Sequence, residues 1–175
     1  MGGNALLSAA DHAFGGNWKI EESRNVTIFG NTVTVAYLNG TIIRESLSNF
    51  TQSNLLRPSA LGEISEISNY MLVNGRSTIY VDVIYNAENS SFTSSRYSYP
   101  VIIEQVSHKY YYNGITFYCF PSTNNSVSKI FLPWCKSDEI LTMYNGNLYL
   151  IFIYGFNPTV EQMAIFLDNV VTRLG

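Results

Sequence analysis

The chain has 175 residues, 46% of them apolar and only 13% charged, with a net charge of −3. An ordinary soluble domain carries about 25% charged residues, so solubility here must come from the hydroxyls and amides of Ser, Thr, Asn and Tyr. The apolar content excludes disorder. The ten scattered basic residues, no two adjacent, exclude the basic stripe that nucleic acid requires.

Asn4 to Phe14 reads as a short helix, with Leu6, Leu7, Ala10 and Phe14 near 3.6-residue spacing and Gly15-Gly16 as its stop. Asn17 to Ser23 reads as a strand around Trp18 and Ile20. Val26 to Phe29 and Thr32 to Leu38 form a hairpin across Gly30-Asn31. Asn39-Gly40 is expected to make a type I′ turn into a strand from Thr41 to Ser46. A polar loop follows to Pro58.

The segment from Ser59 to Val73 is expected to be a second helix. Ser59 would cap it, Leu61, Ile64, Ile67 and Met71 would form its buried stripe, and Asn74-Gly75 would end it. Ser77 to Tyr85 alternates as a strand, with Ile79, Val81, Val83 and Tyr85 on one face and Tyr80, Asp82 and Ile84 on the other. Asn86 to Ser95 is a polar loop. Tyr97 to Ser107 and Lys109 to Phe120 read as Tyr-rich strands, the first at an edge or bulge because of Pro100. Ser128 to Trp134, Ile140 to Tyr144 and Leu148 to Tyr154 are further strands, the last two joined at Asn145-Gly146.

The C-terminal segment is a third helix. Asn157-Pro158 opens it, Thr159 and Gln162 can form a capping box, and Val160, Met163, Ala164, Leu167, Val170, Val171 and Leu174 form one apolar stripe. The pattern predicts a single α+β domain over residues 1–175. Its core would be a curved, mainly antiparallel sheet of about eight to ten strands with three helices, the C-terminal one packed on the sheet. The longest strongly apolar run, Leu148 to Phe156, is far short of the ~20 residues of a spanning helix.

Five Asn-x-Ser/Thr sequons, at Asn25, Asn39, Asn49, Asn89 and Asn124, are placed at turns or strand edges and are candidate glycosylation sites. About three would arise by chance in this composition. Cys119 and Cys135 are the two cysteines, and in an exported domain an even count implies pairing. Sequons and cysteines together point to an extracellular or cell-surface domain. An anchor in the full-length form is compatible with this reading, and Met1 to Gly3 would then be vector residues standing where a signal was lost.

The composition resembles that of secreted and surface proteins from thermoacidophilic archaea, which are similarly rich in Tyr, Asn, Ser and Thr. The resemblance implies tolerance of acid. Ten basic residues and two His limit the fully protonated side chains to +12, about half the value of an ordinary chain of this length.

No catalytic constellation emerges. Two histidines, His12 and His108, without His-x-x-x-His, Cys-x-x-Cys or His-Glu-x-x-His spacing, give no basis for a metal site. Neither a Gly-x-Ser-x-Gly elbow, a phosphate loop nor a dinucleotide fingerprint is present, so no cofactor is expected. Glu21-Glu22 and Asp138-Glu139 are adjacent pairs, which a regular strand points to opposite sides.

Tyr97, Tyr99, Tyr110, Tyr112 and Tyr118 form the candidate aromatic binding surface, suited to a protein or carbohydrate partner. The expectation is a non-enzymatic domain that acts through binding, with no nucleic-acid partner. The alternative is a small extracytoplasmic carrier or enzyme with an apolar pocket between sheet and helices. The closing strand–Asn-Gly–strand–helix order resembles, in general topology, exported carriers of the LolA and MucB type.

Overall fold

The computed structural model describes residues 2–29, 32–46, 64–85, 108–119, 132–135 and 139–174. These comprise helix α1 (Gly2–Phe14) and strands β1 (Lys19–Phe29), β2 (Thr32–Tyr37), β3 (Ile42–Ser46), β4 (Ile64–Asn74) and β5 (Ser77–Ile84). Strands β6 (His108–Tyr112), β7 (Ile115–Cys119), β8 (Glu139–Tyr144) and β9 (Asn147–Tyr154) follow, and helix α2 (Val160–Leu174) closes the chain. The strands form one open sheet in the order β3-β2-β1-β4-β5-β9-β8-β7-β6. Every neighbouring pair is antiparallel. The architecture is α+β, with two helices and nine strands among the described residues.

The expected helix over Ser59 to Val73 is instead β4, with residues 59–63 outside the described part. The helical spacing of Ile64, Ile67 and Met71 misleads because this strand lies inside the sheet, between β1 and β5. Its two faces meet different partners. Tyr70 and Leu72 enter the helix-side core, while Ile67 joins an apolar cluster on the other side. A strand that carries apolar residues on both faces loses the alternation that identifies strands in sequence. Asn74-Gly75 ends β4 as expected of a stop, but it opens a tight hairpin into β5, with Gly75 at φ 61° and Asn74 opposite Ser77.

The remaining turns follow local chemistry. Asn145-Gly146 and Asn113-Gly114 place both residues at positive φ (51° and 82°; 51° and 81°), the signature of type I′ hairpins. The second of these splits the expected strand Lys109 to Phe120 into β6 and β7. Asn39-Gly40 turns the chain, but not as type I′: only Gly40 has positive φ, at 87°. The Gly40 amide donates to the Tyr37 carbonyl and the Tyr37 amide to the Thr41 carbonyl, so a type I turn is followed by a glycine bulge. The strands expected at Asn17–Ser23 and Val26–Phe29 are one continuous strand, β1. Asn25 therefore lies mid-strand and not at a turn. The expected strand at Ser128 to Trp134 is, in its described part, a single bridge at Leu132 followed by a turn. Tyr97 to Ser107 lies outside the described residues.

Both helices cover one face of the sheet. Leu6, Ala9, Ala10 and Ala13 of α1 and Met163, Phe166, Leu167 and Val170 of α2 are buried against Leu72, Ile79, Val81, Val83, Phe117, Ile140, Ile151 and Ile153. The alanines of α1 let the two helices approach closely. Phe14 stacks on Phe166 at 5.3 Å and meets Phe156 edge-on at 5.3 Å. At the end of α1, the Trp18 amide donates to the Asp11 carboxylate (2.9 Å) and the indole N–H to the Gly15 carbonyl (2.9 Å), which fixes the entry into β1. At the start of α2 the capping box forms as expected. The Thr159 amide donates to Gln162 Oε1 (2.9 Å), and the Gln162 amide to Thr159 Oγ1 (3.1 Å). Pro158 stands one residue before the cap, outside the first turn.

Cys119 and Cys135 form a disulfide, with Cα atoms 5.6 Å apart. The bond ties the end of β7 to the turn at 132–135. Trp134 of that turn packs edge-on against Tyr110 (5.4 Å) and Phe117 (5.3 Å), and its indole N–H donates to the Pro158 carbonyl (3.0 Å). A single turn thus joins the β6–β7 hairpin to the start of α2.

Candidate functional site

The face of the sheet opposite the helices changes character along its strands. Residues paired across neighbouring strands share a face, so the register defines rows. One row runs Val35, Val26, Ile67, Ile84, Leu148 and Met143. It is apolar, and all but Met143 are buried. Two residues along the strands, the next row on this face reads Tyr37, Arg24, Asn69, Asp82 and Leu150. The row after that reads Glu22, Met71, Tyr80 and Phe152, with Tyr154 beyond it. Within two residues the surface passes from buried aliphatic to charged and aromatic.

These polar and aromatic rows floor a depression of about 990 Å³, closed on one side by Leu38 and Asn39 of the β2–β3 turn. Three of its groups are linked. Arg24 Nε donates to Asn69 Oδ1 at 2.8 Å, and Asn69 Nδ2 donates to Asp82 Oδ1. The amide of Asn69 is thereby fixed in orientation between a guanidinium and a carboxylate. Tyr80, Phe152 and Tyr154 form a contiguous aromatic step. Their ring centroids are 4.8–6.4 Å apart, with interplanar angles of 55–77°. Tyr80 is 39% exposed and Tyr154 44%.

A β-bulge shapes the rim. The register of β1 on β4 shifts between Ile20 and Glu22, so Glu21 is the extra residue. The expectation that Glu21 and Glu22 face opposite sides of a regular strand fails here, and both line the depression. The lining therefore holds three carboxylates, Glu21, Glu22 and Asp82, against one guanidinium, Arg24.

Burial pushes the Asp82 carboxyl above its ordinary value, and the hydrogen bond from Asn69 and the charge of Arg24 pull it back only in part. The sign of the consequence follows from linkage. A carboxyl with a raised folded pKa binds its proton more tightly in the folded chain than in the unfolded chain. Its contribution to stability therefore rises as pH falls through the folded value toward the unfolded one. Asp82→Asn should thus be at least as stable as the wild type at pH 7, and the difference should shrink or reverse at pH 3. Denaturant titrations at the two pH values check this. A variant clearly less stable than wild type at pH 7 would mean that the Arg24–Asn69–Asp82 chain outweighs the cost of burying the carboxylate.

The tyrosines singled out from sequence are not gathered on one surface. Tyr110 and Tyr112 lie opposite Phe117 and Ile115 on the helix side, where Tyr110 packs on Trp134 and Tyr112 against the core. Tyr118 faces the other side with the Lys109 ammonium 5.7 Å from its ring centre, and packs on the second apolar cluster. Tyr97 and Tyr99 lie outside the described residues. Among the sequons, Asn25 accepts a hydrogen bond from Ser68 Oγ (2.7 Å), and exposed Asn39 accepts one from the Thr41 amide (3.0 Å). Asn49, Asn89 and Asn124 lie outside the described residues. His12 is exposed on α1. Among the described residues no cluster of three His, Cys, Asp or Glu is arranged to hold a metal ion, and no helix is long and apolar enough to cross a membrane.

Sequence reasoning passed over Arg24, Asn69 and Asp82. The available signal was Asp82, an acidic residue in the middle of an otherwise apolar strand, where Asp is disfavoured and costly to bury. Comparison with protein-family models, with curated proteins and with solved structures found no significant match, so a functional reading has to be built from the residues themselves.

Proposed function

We propose that this chain is a non-enzymatic, exported or cell-surface domain that acts by binding, and that the depression over β1, β4, β5 and β9 is its binding site. The observation that carries the reading is the convergence of half-exposed Tyr37, Tyr80 and Tyr154 with the prelinked Arg24–Asn69–Asp82 row. Exposed aromatic side chains on a rigid sheet give contact area at low entropy cost, and polar groups already held in place give orientation. On the other side of the sheet, among the described residues, Phe14 packs against both Phe156 and Phe166, and the cavity beside the C-terminal helix is only about 210 Å³. This favours a site on the open face over an apolar pocket beneath the helices. The disulfide and the sparse charge support a location outside the cytoplasm.

Amide shift mapping on isotopically labelled protein tests the site. A mixed set of sugars, short peptides and lipids should shift the amides around Glu22, Arg24, Asn69, Tyr80 and Asp82. Ligand-induced shifts confined to α1 and α2 would place the site beneath the helices and end this reading.

A further inference from the structure

We infer that the ligand of this depression is an uncharged oligosaccharide, stacked on the exposed faces of Tyr80 and Tyr154 and hydrogen-bonded to the Arg24–Asn69–Asp82 row. The inference rests on the reading that the depression is a binding site, and it names the chemistry of the occupant.

A sugar ring has one apolar C–H face and a rim of hydroxyls, each both donor and acceptor. The depression matches both parts. Tyr80 and Tyr154 supply aromatic surface. Arg24 and Asn69 supply donors, and Asp82, Glu21 and Glu22 supply acceptors. The bulge at Glu21 matters here, because it brings two neighbouring carboxylates to one rim where a regular strand would supply one.

Competing ligand classes fit less well. Three carboxylates against one guanidinium disfavour phosphate, sulfate and acidic sugars. The geometry of the rings disfavours a cation cage or a sandwiched base. With centroids only 4.8–6.4 Å apart, Tyr80 meets Phe152 and Tyr154 edge to face, and Phe152 and Tyr154 are tilted against each other. That spacing leaves no slot between two rings, only single ring faces along a step. A single open face is what a pyranose covers. The volume of about 990 Å³ lies at the upper end of the roughly 300–1,000 Å³ of small-ligand sites, which favours several sugar units over one.

The test is calorimetry and amide shift mapping of the full chain with neutral hexasaccharides of glucose (α- and β-linked), mannose and N-acetylglucosamine. A sulfated hexasaccharide and an uncharged heptapeptide serve as comparison probes. At least one neutral oligomer should bind saturably and shift the amides of β1, β4, β5 and β9. Tyr80→Ala and Tyr154→Ala should each weaken binding by about tenfold, the scale of one lost aromatic contact, while Tyr80→Phe and Tyr154→Phe should retain it. Both tyrosines are partly exposed, so thermal melts of the variants should stay close to wild type and separate lost binding from lost folding.

Preferential binding of the sulfated probe, or no binding of any neutral oligomer at millimolar concentration, overturns the inference. Binding of the peptide alone at these same amides also overturns it, yet leaves the depression standing as a binding site. Neutral-sugar shifts confined to α1 and α2 overturn both. New reducing ends appearing during the titration would support the sugar and end the non-enzymatic reading, since the three carboxylates would then be cleaving what they hold.

Discussion

Leu167→Ala should lower the unfolding free energy by about 2–5 kcal/mol. Leu167 is fully buried, and it sits in the larger apolar cluster of the described residues with Met163, Phe166 and Val170 of the same helix. Alanine removes the branched part of the side chain. The site cannot collapse easily around the gap, because the neighbours belong to α1, α2 and the sheet at once, and the cavity term adds to the lost transfer energy. Ile165 on the same helix is 41% exposed, so Ile165→Ala should change stability by about 0.5 kcal/mol or less. Urea titrations of the two variants give the comparison. A loss below half a kcal/mol for Leu167→Ala would show that α2 is not docked on the sheet in solution.

Removal of the disulfide should be comparably costly. The double substitution Cys119→Ala with Cys135→Ala should lose about 2–5 kcal/mol. The cysteines are 16 apart in sequence, and closing a loop of about 15 residues contributes roughly 3 kcal/mol in the chain-entropy account. A second, local effect adds to this. The bond holds the turn that carries Trp134, and Trp134 is the link between Tyr110, Phe117 and the carbonyl of Pro158. Loosening that turn frees the β6–β7 hairpin and the start of α2 together. Trp134 fluorescence should therefore shift toward an exposed value in the variant before global unfolding. A thiol count on denatured, unreduced wild-type protein should give none; two per chain would remove the premise.

Acid behaviour follows the same logic of few charges. With side chains limited to +12 when fully protonated, self-repulsion is small. Asp82, the carboxyl whose folded pKa burial raises, stabilises the fold on acidification where a salt-bridged carboxylate would destabilise it.

Asn39-Gly40 and β4 aside, signals carried by neighbours along the chain determined the structure by themselves. The stripe and capping box of α2, the stop of α1 at Gly15-Gly16, the alternation of Ile79, Val81 and Val83, and the Asn145-Gly146 hairpin are all of this kind. Each rests on a local φ preference, a backbone hydrogen bond three residues away, or burial of one face only. The cysteine pair was legible for a different reason: two cysteines allow one intramolecular pairing.

Tertiary structure alone decided the rest. Ile64, Ile67 and Met71 suit a helix as well as a strand, and the choice fell to β1 and β5, which pair with the two edges of β4 and hold it inside the sheet. The slip at Glu21 is a mismatch between two strands, so neither strand contains it by itself. The candidate site is the extreme case. Arg24 and Asn69 are 45 residues apart and Asn69 and Asp82 are 13 apart. Periodicity tells which face of a strand is buried; only register tells which side chains of different strands stand side by side.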